Sequence, residues 1–322
     1  MRETAEGVRE VGGTANASDR ELAAPISAHT FDHSTTEKVA TTTDEDEKHA
    51  RFVEEYMARN ELWRHPALDD PIRGHVDAYR SDGEPALPDG WQYRSVPLVM
   101  PTGPVEGIQR KWANCHVVAG LNALGKKEPE SLVDMVSQSG GKVVVRTHLG
   151  TYTMDATLPY TAEGVPAYAA APDGSTLVAY IEKAGAAHFG SYRAFEYGNA
   201  ADFLFWAVGD RYPIPNMVDV RDMSIDDLRG IIDSDFPTAV NIVPPERPKD
   251  IPPDLAEYGL VTKHVYVPDQ LDDDGGVVLV NPWGKKHSIG MTLEVLHRMN
   301  ATLHWVSTTP YQRSGPGPAG GS

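Results

Sequence analysis

Cysteine is almost absent from this chain: Cys115 is the only one in 322 residues. A single thiol cannot close an internal disulfide or furnish a CxxC zinc site, so both are excluded. Nowhere does an apolar run reach the length needed to span a bilayer. The opening stretch, MRETAEGVREVGG, lacks the apolar segment of a secretory signal. The expectation is a cytoplasmic protein, or one exported without a cleaved Sec signal. Positive charge is also scarce, with 29 Lys and Arg against 46 Asp and Glu and a formal net charge of −17. Such a surface repels phosphate backbones and anionic lipid, which predicts no nucleic-acid partner and no membrane span. Large apolar side chains are few between Met1 and Thr43, so residues 1–43 are expected to be a disordered leader unable to offset chain entropy by burial.

The remainder has the composition of a folded protein. Hydrophobic residues make up 40% of the chain and charged residues 23%, and the length suffices for one large domain or two lobes. TTTDEDEKHARFVEEYMARNELW reads as a helix capped by Thr43, with its acidic start a solvated helix end rather than a calcium loop. Residues 69–104 are rich in Pro, Gly and Asp and read as loops and short extended pieces. An apolar helix follows Cys115, then strand runs in GGKVVVRTHLGTYTMDATLPY. Helices are predicted in STLVAYIEKAGAAHFGSYRAF and NAADFLFWAVGD, and one in SIDDLRGIIDSDF opened by Ser224 with Asp227 three residues on, as in a capping box. After that the chain turns β-rich, with PTAVNIV, KHVYVPDQL, GGVVLVNPW and a closing ATLHWVST, interrupted by a helix around 292–299. The order predicts an α+β fold of two lobes: a helical lobe over 44–215 carrying the cysteine, a β-rich lobe over 216–312, and a flexible tail over 313–322.

Chemistry is suggested by IQRKWANCHVVAGLNAL. Cys115 sits where a loop becomes a helix, and the free N–H groups there favour thiolate. A nucleophilic cysteine needs a base and an orienting group, and two stand far downstream: His264 in GLVTKHVYV and Asn281 in VVLVNPWG. In that arrangement His264 takes the thiol proton and later protonates the leaving amine, and Asn281 holds the ring. Gln109 and the Cys115 N–H are the expected oxyanion donors, and Trp283 the cover that keeps water off the His264–Asn281 hydrogen bond. The plain alternative for a lone cysteine is core packing; the matching contexts of His264 and Asn281 weigh against it. His116 reads as a helix neighbour rather than a second base. GLNALGKK fits part of a phosphate-binding loop but lacks the closing Ser or Thr and a preceding strand. His29 and His33 have metal spacing but no further ligand.

These segments resemble calpain-type cysteine proteases, a branch of the papain-like fold. The spacing of Gln109 to Cys115, GLVTKHVYV and VNPWG correspond to the family's nucleophile, histidine and asparagine motifs. TMDATLPY, VAYIEKAGAAHFGSY and MTLEVLHRMNATLHWV are similar to further family segments, in the same order from about Gln92 to Val306. Departures lie beside the site: Asn114 stands where the family has Asp, His116 where it has Trp, and Lys263 where Gly precedes the histidine. The resemblance implies a two-lobe papain-like fold and a cysteine endopeptidase acting on a protein or peptide substrate. Alternatives are deamidase or transglutaminase-like acyl transfer on Gln side chains, and a degenerate protease core serving as a binding module. No cofactor is expected. Calcium, which family members of the animal type use near the cysteine, is expected not to be required, because Asn114 removes a ligand charge.

Overall fold

Two sets of apolar side chains are buried, and the chain is sorted between them. One cluster takes residues from Val105 to Tyr212, with Val306 returning to it. The other runs from Val220 to Trp305. The computed structural model describes residues 80–82, 84–193, 196, 198–242, 258, 260–261, 263–271, 276–284 and 290–312. The expected leader, the helix from Thr43, the tail, His29 and His33 lie outside the described residues.

The first cluster is built from helices and strands together. Helix α1 (Cys115–Lys127) is buried along nearly its whole length, and α2 (Pro129–Met135) follows it with Pro at its first position. Strands β3 (Val136–Ser139), β4 (Lys142–Thr147) and β5 (Gly150–Asp155) form antiparallel neighbours, and β1 (Arg80–Asp82) joins β5 in parallel. Gly140 and Gly141, both at positive φ, make the β3–β4 turn. A second pair, β2 (Gln92–Ser95) with β6 (Thr157–Tyr160), lies apart. Helices α3 (Leu177–His188) and α4 (Ala200–Val208) complete the layer. The strand runs expected in KVVVRT and GTYTMD are present: both alternate buried and outward positions, which is strand periodicity, and they seat a sheet beside the helices of this half.

The second cluster backs a five-stranded antiparallel sheet in the order β10-β9-β8-β11-β7, comprising β7 (Ile214–Asp219), β8 (Thr238–Ile242), β9 (His264–Leu271), β10 (Val277–Val280) and β11 (Ala301–Ser307). Helix α5 (Ile225–Ile232) carries the capping box read from its sequence, with Ser224 and Asp227 bonded reciprocally. Helix α6 (Leu293–Arg298) is capped by Thr292.

Helix α1 joins the two halves. Its small residues Ala119 and Ala123 pack with Ala200, Ala239, Val265 and Val267, so β8 and β9 come close to the helix. At its end Lys126 donates to Pro268 O at 3.2 Å and to Asp269 Oδ1 at 2.8 Å, and Lys127 donates to Ile232 O and Ser234 O. Both lysines of the phosphate-loop look-alike thus fasten the helix to the second half. Its glycines are packing positions: a Cβ on Gly120 would meet Phe203, and one on Gly125 would meet Val105 O. The overall class is α+β, with helices and mainly antiparallel sheets.

Candidate active site

Cys115 opens α1, and its side chain is half-buried against Val265 of β9. Burial pushes the thiol up to about 11, while the backbone N–H groups of Val265, His116 and Cys115 itself face the sulfur and pull the other way. The N–H groups expected to favour thiolate are in place, and burial acts against them.

His264, the first residue of β9, immediately precedes Val265 and is buried. Its Nε2 lies 2.9 Å from Asn281 Oδ1. That same Oδ1 accepts from the Trp283 N–H at 2.9 Å, so it is the amide oxygen and can only accept. His264 Nε2 must then carry the proton, and Nδ1 keeps the lone pair that a base requires. Burial lowers the imidazole to about 4, with the Asn281 bond opposing. Lys263, just before it, is a non-glycine residue at φ 55°, a backbone state that costs energy and concentrates at working sites.

Trp283 ties the remaining groups together. Its ring lies over His264 with centroids 4.5 Å apart, and its Nε1 donates to Gln109 Oε1 at 3.0 Å. Gln109 N donates to Pro282 O at 2.8 Å, and Gln109 Nε2 donates to Trp112 O at 2.6 Å. One amide hydrogen of Gln109 is thereby spent on Trp112, and the other is left for a ligand. Gly284 closes the turn at φ 68° with Ile108 against it, where a Cβ would sit 3.1 Å from the Ile108 side chain. The N-P-W-G order therefore has a local reason: an oxygen acceptor, a backbone carbonyl, a ring and a left-handed glycine, each engaging a named partner.

All five residues expected from the sequence are described. Hydrogen bonds connect Gln109, Trp283, Asn281 and His264 in series, and Cys115 lies beside the strand that His264 opens. His116 is buried and held neutral, lowered to about 3 by burial and by His304, with its Nδ1 accepting from Gly198 N at 3.2 Å; it is a packing residue.

Glu182 was missed. It is fully buried in α3 and bonds Asn114 and Ala169 N, while its neighbour Lys183 reaches Asp155 O and Thr157 O. The available signal was a Glu-Lys pair inside an otherwise apolar helix, where a charge survives only with partners. The same geometry bears on calcium. Asn114 has no exposed surface and gives its amide N–H to Glu182, leaving one oxygen where calcium requires six to eight or so. Among the described residues no group of three His, Cys, Asp or Glu could hold a metal ion. The residues at Asn114 do not fit calcium, and no step below passes through it. Among the described residues, no helix is long and apolar enough to cross a membrane.

Comparison with protein-family models and with curated proteins gave no match to this chain.

Proposed function

We propose that the chain is a calpain-like cysteine endopeptidase with a papain-like two-lobe core. The observation that carries this is the series Gln109–Trp283–Asn281–His264 beside Cys115, in which Asn281 fixes the histidine tautomer that a general base needs. The resemblance of its sequence motifs to that family supports the same reading. Core packing alone does not call for a buried imidazole, an amide and an indole N–H to be linked this way between the two halves of the chain.

The resting pair is neutral, with burial acting on both partners. As the sulfur attacks the carbonyl carbon of an extended substrate segment, its proton passes to His264 Nδ1 and the C–S bond forms. The carbonyl oxygen gains the charge, which the Cys115 N–H and the unspent Gln109 amide hydrogen stabilise. Collapse breaks the C–N bond, and the proton on Nδ1 leaves with the amine. Water then attacks the thioester with His264 as base, the C–S bond breaks, and the thiol regains its proton as the acid product departs. Asn281 holds the ring throughout, and Trp283 shields the bond between them.

The test is cleavage of a disordered protein such as casein. Cys115→Ala should abolish turnover in a folded protein, and His264→Ala should come close to that. Asn281→Ala should leave a measurable remainder, since an orienting group contributes less than nucleophile or base. Undiminished cleavage by folded Cys115→Ala would overturn the reading. Deamidation or amine incorporation at glutamine without chain cleavage would move it to the acyl-transfer alternative.

A further inference from the structure

Asparagine is a good helix cap, and Asn199 acts as one here: its backbone is extended at φ −113°, ψ 153°, and its side chain accepts from Asp202 N. Asn114 holds the same position at the start of α1 and does not cap. Its backbone lies at φ −115°, ψ 38°, outside the extended geometry of a capping residue, and its side chain makes no cap bond. The amide is turned inward instead, with Nδ2 donating to Glu182 Oε1 at 2.7 Å. Glu182 Oε2 accepts from Ala169 N at 2.8 Å. Neither Asn114 nor Glu182 has exposed surface, and Asn114 Oδ1 has no hydrogen-bond partner. A buried carboxyl and an orphaned carbonyl oxygen both disfavour folding, and an apolar pair could join α1 to α3 without either.

What this arrangement leaves open is the helix start. A cap on α1 would engage the N–H of His116 or Val117, its second and third residues. Val117 N already donates to Asn114 O at 2.9 Å. The His116 N–H faces the Cys115 sulfur, together with that of Cys115.

We propose that Glu182 is a positioning residue for Cys115: by holding the Asn114 side chain in the core it keeps the His116 and Cys115 N–H groups directed at the sulfur and at the oxygen that gains charge during attack. This rests on Cys115 being the nucleophile. The tie does not depend on the protonation state of the carboxyl. Burial raises Glu182 to about 7, so both forms are present near neutrality. The ionised form accepts from Nδ2, and the protonated form can donate to Oδ1 once the amide turns.

Glu182→Gln and Glu182→Met separate the tie from the charge. The glutamine variant keeps it in reverse, its amide donating to Asn114 Oδ1 and its oxygen accepting from Ala169 N, so kcat should stay within about threefold. Methionine fills the space but releases Asn114, which can then reach the His116 N–H. In Glu182→Met, kcat on casein-derived peptides should fall about a hundredfold with KM little changed. Adding Asn114→Ala to that variant removes the side chain that would cap, and should recover most of the loss. Alkylation by iodoacetamide gives a readout that needs no peptidase activity, because Cys115 is the only thiol of the chain. Its rate should fall about tenfold in Glu182→Met and return in the double variant. Equal alkylation and kcat in wild type and Glu182→Met, or no recovery on adding Asn114→Ala, overturns the role of Glu182. Expected alkylation rates in a chain that cleaves no peptide would instead keep the helix-start arrangement and overturn the peptidase reading.

Discussion

At the scale of single residues, the candidate site is a set of groups whose charged forms are disfavoured by burial. The thiol of Cys115 is raised to about 11 and the imidazole of His264 lowered to about 4, in each case chiefly by burial. A preformed thiolate–imidazolium pair would alkylate rapidly and evenly from about pH 5 upward. A neutral pair predicts a rate on iodoacetamide that climbs steadily from about pH 7 to about pH 10. A flat profile over that range would contradict the neutral resting state. Trp283 allows a finer test, since it contributes a ring to His264, a backbone N–H to Asn281 and an indole N–H to Gln109. Trp283→Phe preserves the first two and removes the third. It should lower kcat about tenfold through a displaced Gln109, whereas Trp283→Ala should lower it further by uncovering the ring. Equal activity of Trp283→Phe and wild type would mean that the Gln109 link is dispensable.

At the scale of elements, much was legible because local chemistry and final environment agree. Ser224 and Asp227 announced α5, and the helix read around 292–299 is α6. Where reading failed, a single residue or a distant partner explains it. The helix predicted through SYRAF ends at His188, because Gly190 takes φ 81° and its N–H turns back to Ala187 O. Within the sheet of the first half, β1 lay in a stretch read as loops and short extended pieces, because it pairs with β5 some seventy residues away. Glu182 went unread because its partner, Asn114, lies 68 positions away. Cys115, His264 and Asn281 stand out in the sequence for the opposite reason, as each carries its context in adjacent residues, and the structure bonds His264 to Asn281. The glycines give a paired test. In Gly125→Ala the new Cβ would lie 2.3 Å from the backbone oxygen of Val105, and the substitution should destabilise by about 1–3 kcal/mol or more. In α5, nothing lies within 4 Å of a Cβ at Gly230, so Gly230→Ala should stabilise by about 0.4–1 kcal/mol through helix propensity and unfolded-chain entropy. Chemical denaturation of both variants decides, and a shift of the same sign in each would contradict the packing described.

At the scale of the molecule, the candidate site draws its parts from both halves of the chain, with Gln109 and Cys115 from the first and His264, Asn281 and Trp283 from the second. Stability and activity should therefore fall together in acid. His264 and His304 are lowered to about 4 and His116 to about 3, each chiefly by burial. Between the ordinary histidine value near 6.5 and those values, the unfolded chain binds protons that the folded chain refuses, so stability drops as pH falls. Glu182, raised to about 7, acts oppositely, since the folded chain keeps a proton that the unfolded one releases. Three imidazoles outweigh one carboxyl, so the urea midpoint should decline from about pH 7 to about pH 5. A midpoint that rises over that interval would contradict the neutral, buried state of these histidines. Calcium belongs to this scale too. With Asn114 engaged by Glu182, peptide cleavage should proceed in excess chelator, and cleavage seen only after calcium is restored would contradict the reading of that position.

The central claim is that Cys115 carries the acyl group of a cleaved peptide. Acid-quenched mass spectrometry during turnover of a disordered protein tests it most directly, by looking for a substrate fragment joined to the chain through a hydroxylamine-labile thioester. Such an adduct is expected at Cys115, absent from Cys115→Ala and nearly so from His264→Ala. Cleavage products accumulating with no Cys115-dependent adduct, and equally in Cys115→Ala, would contradict it.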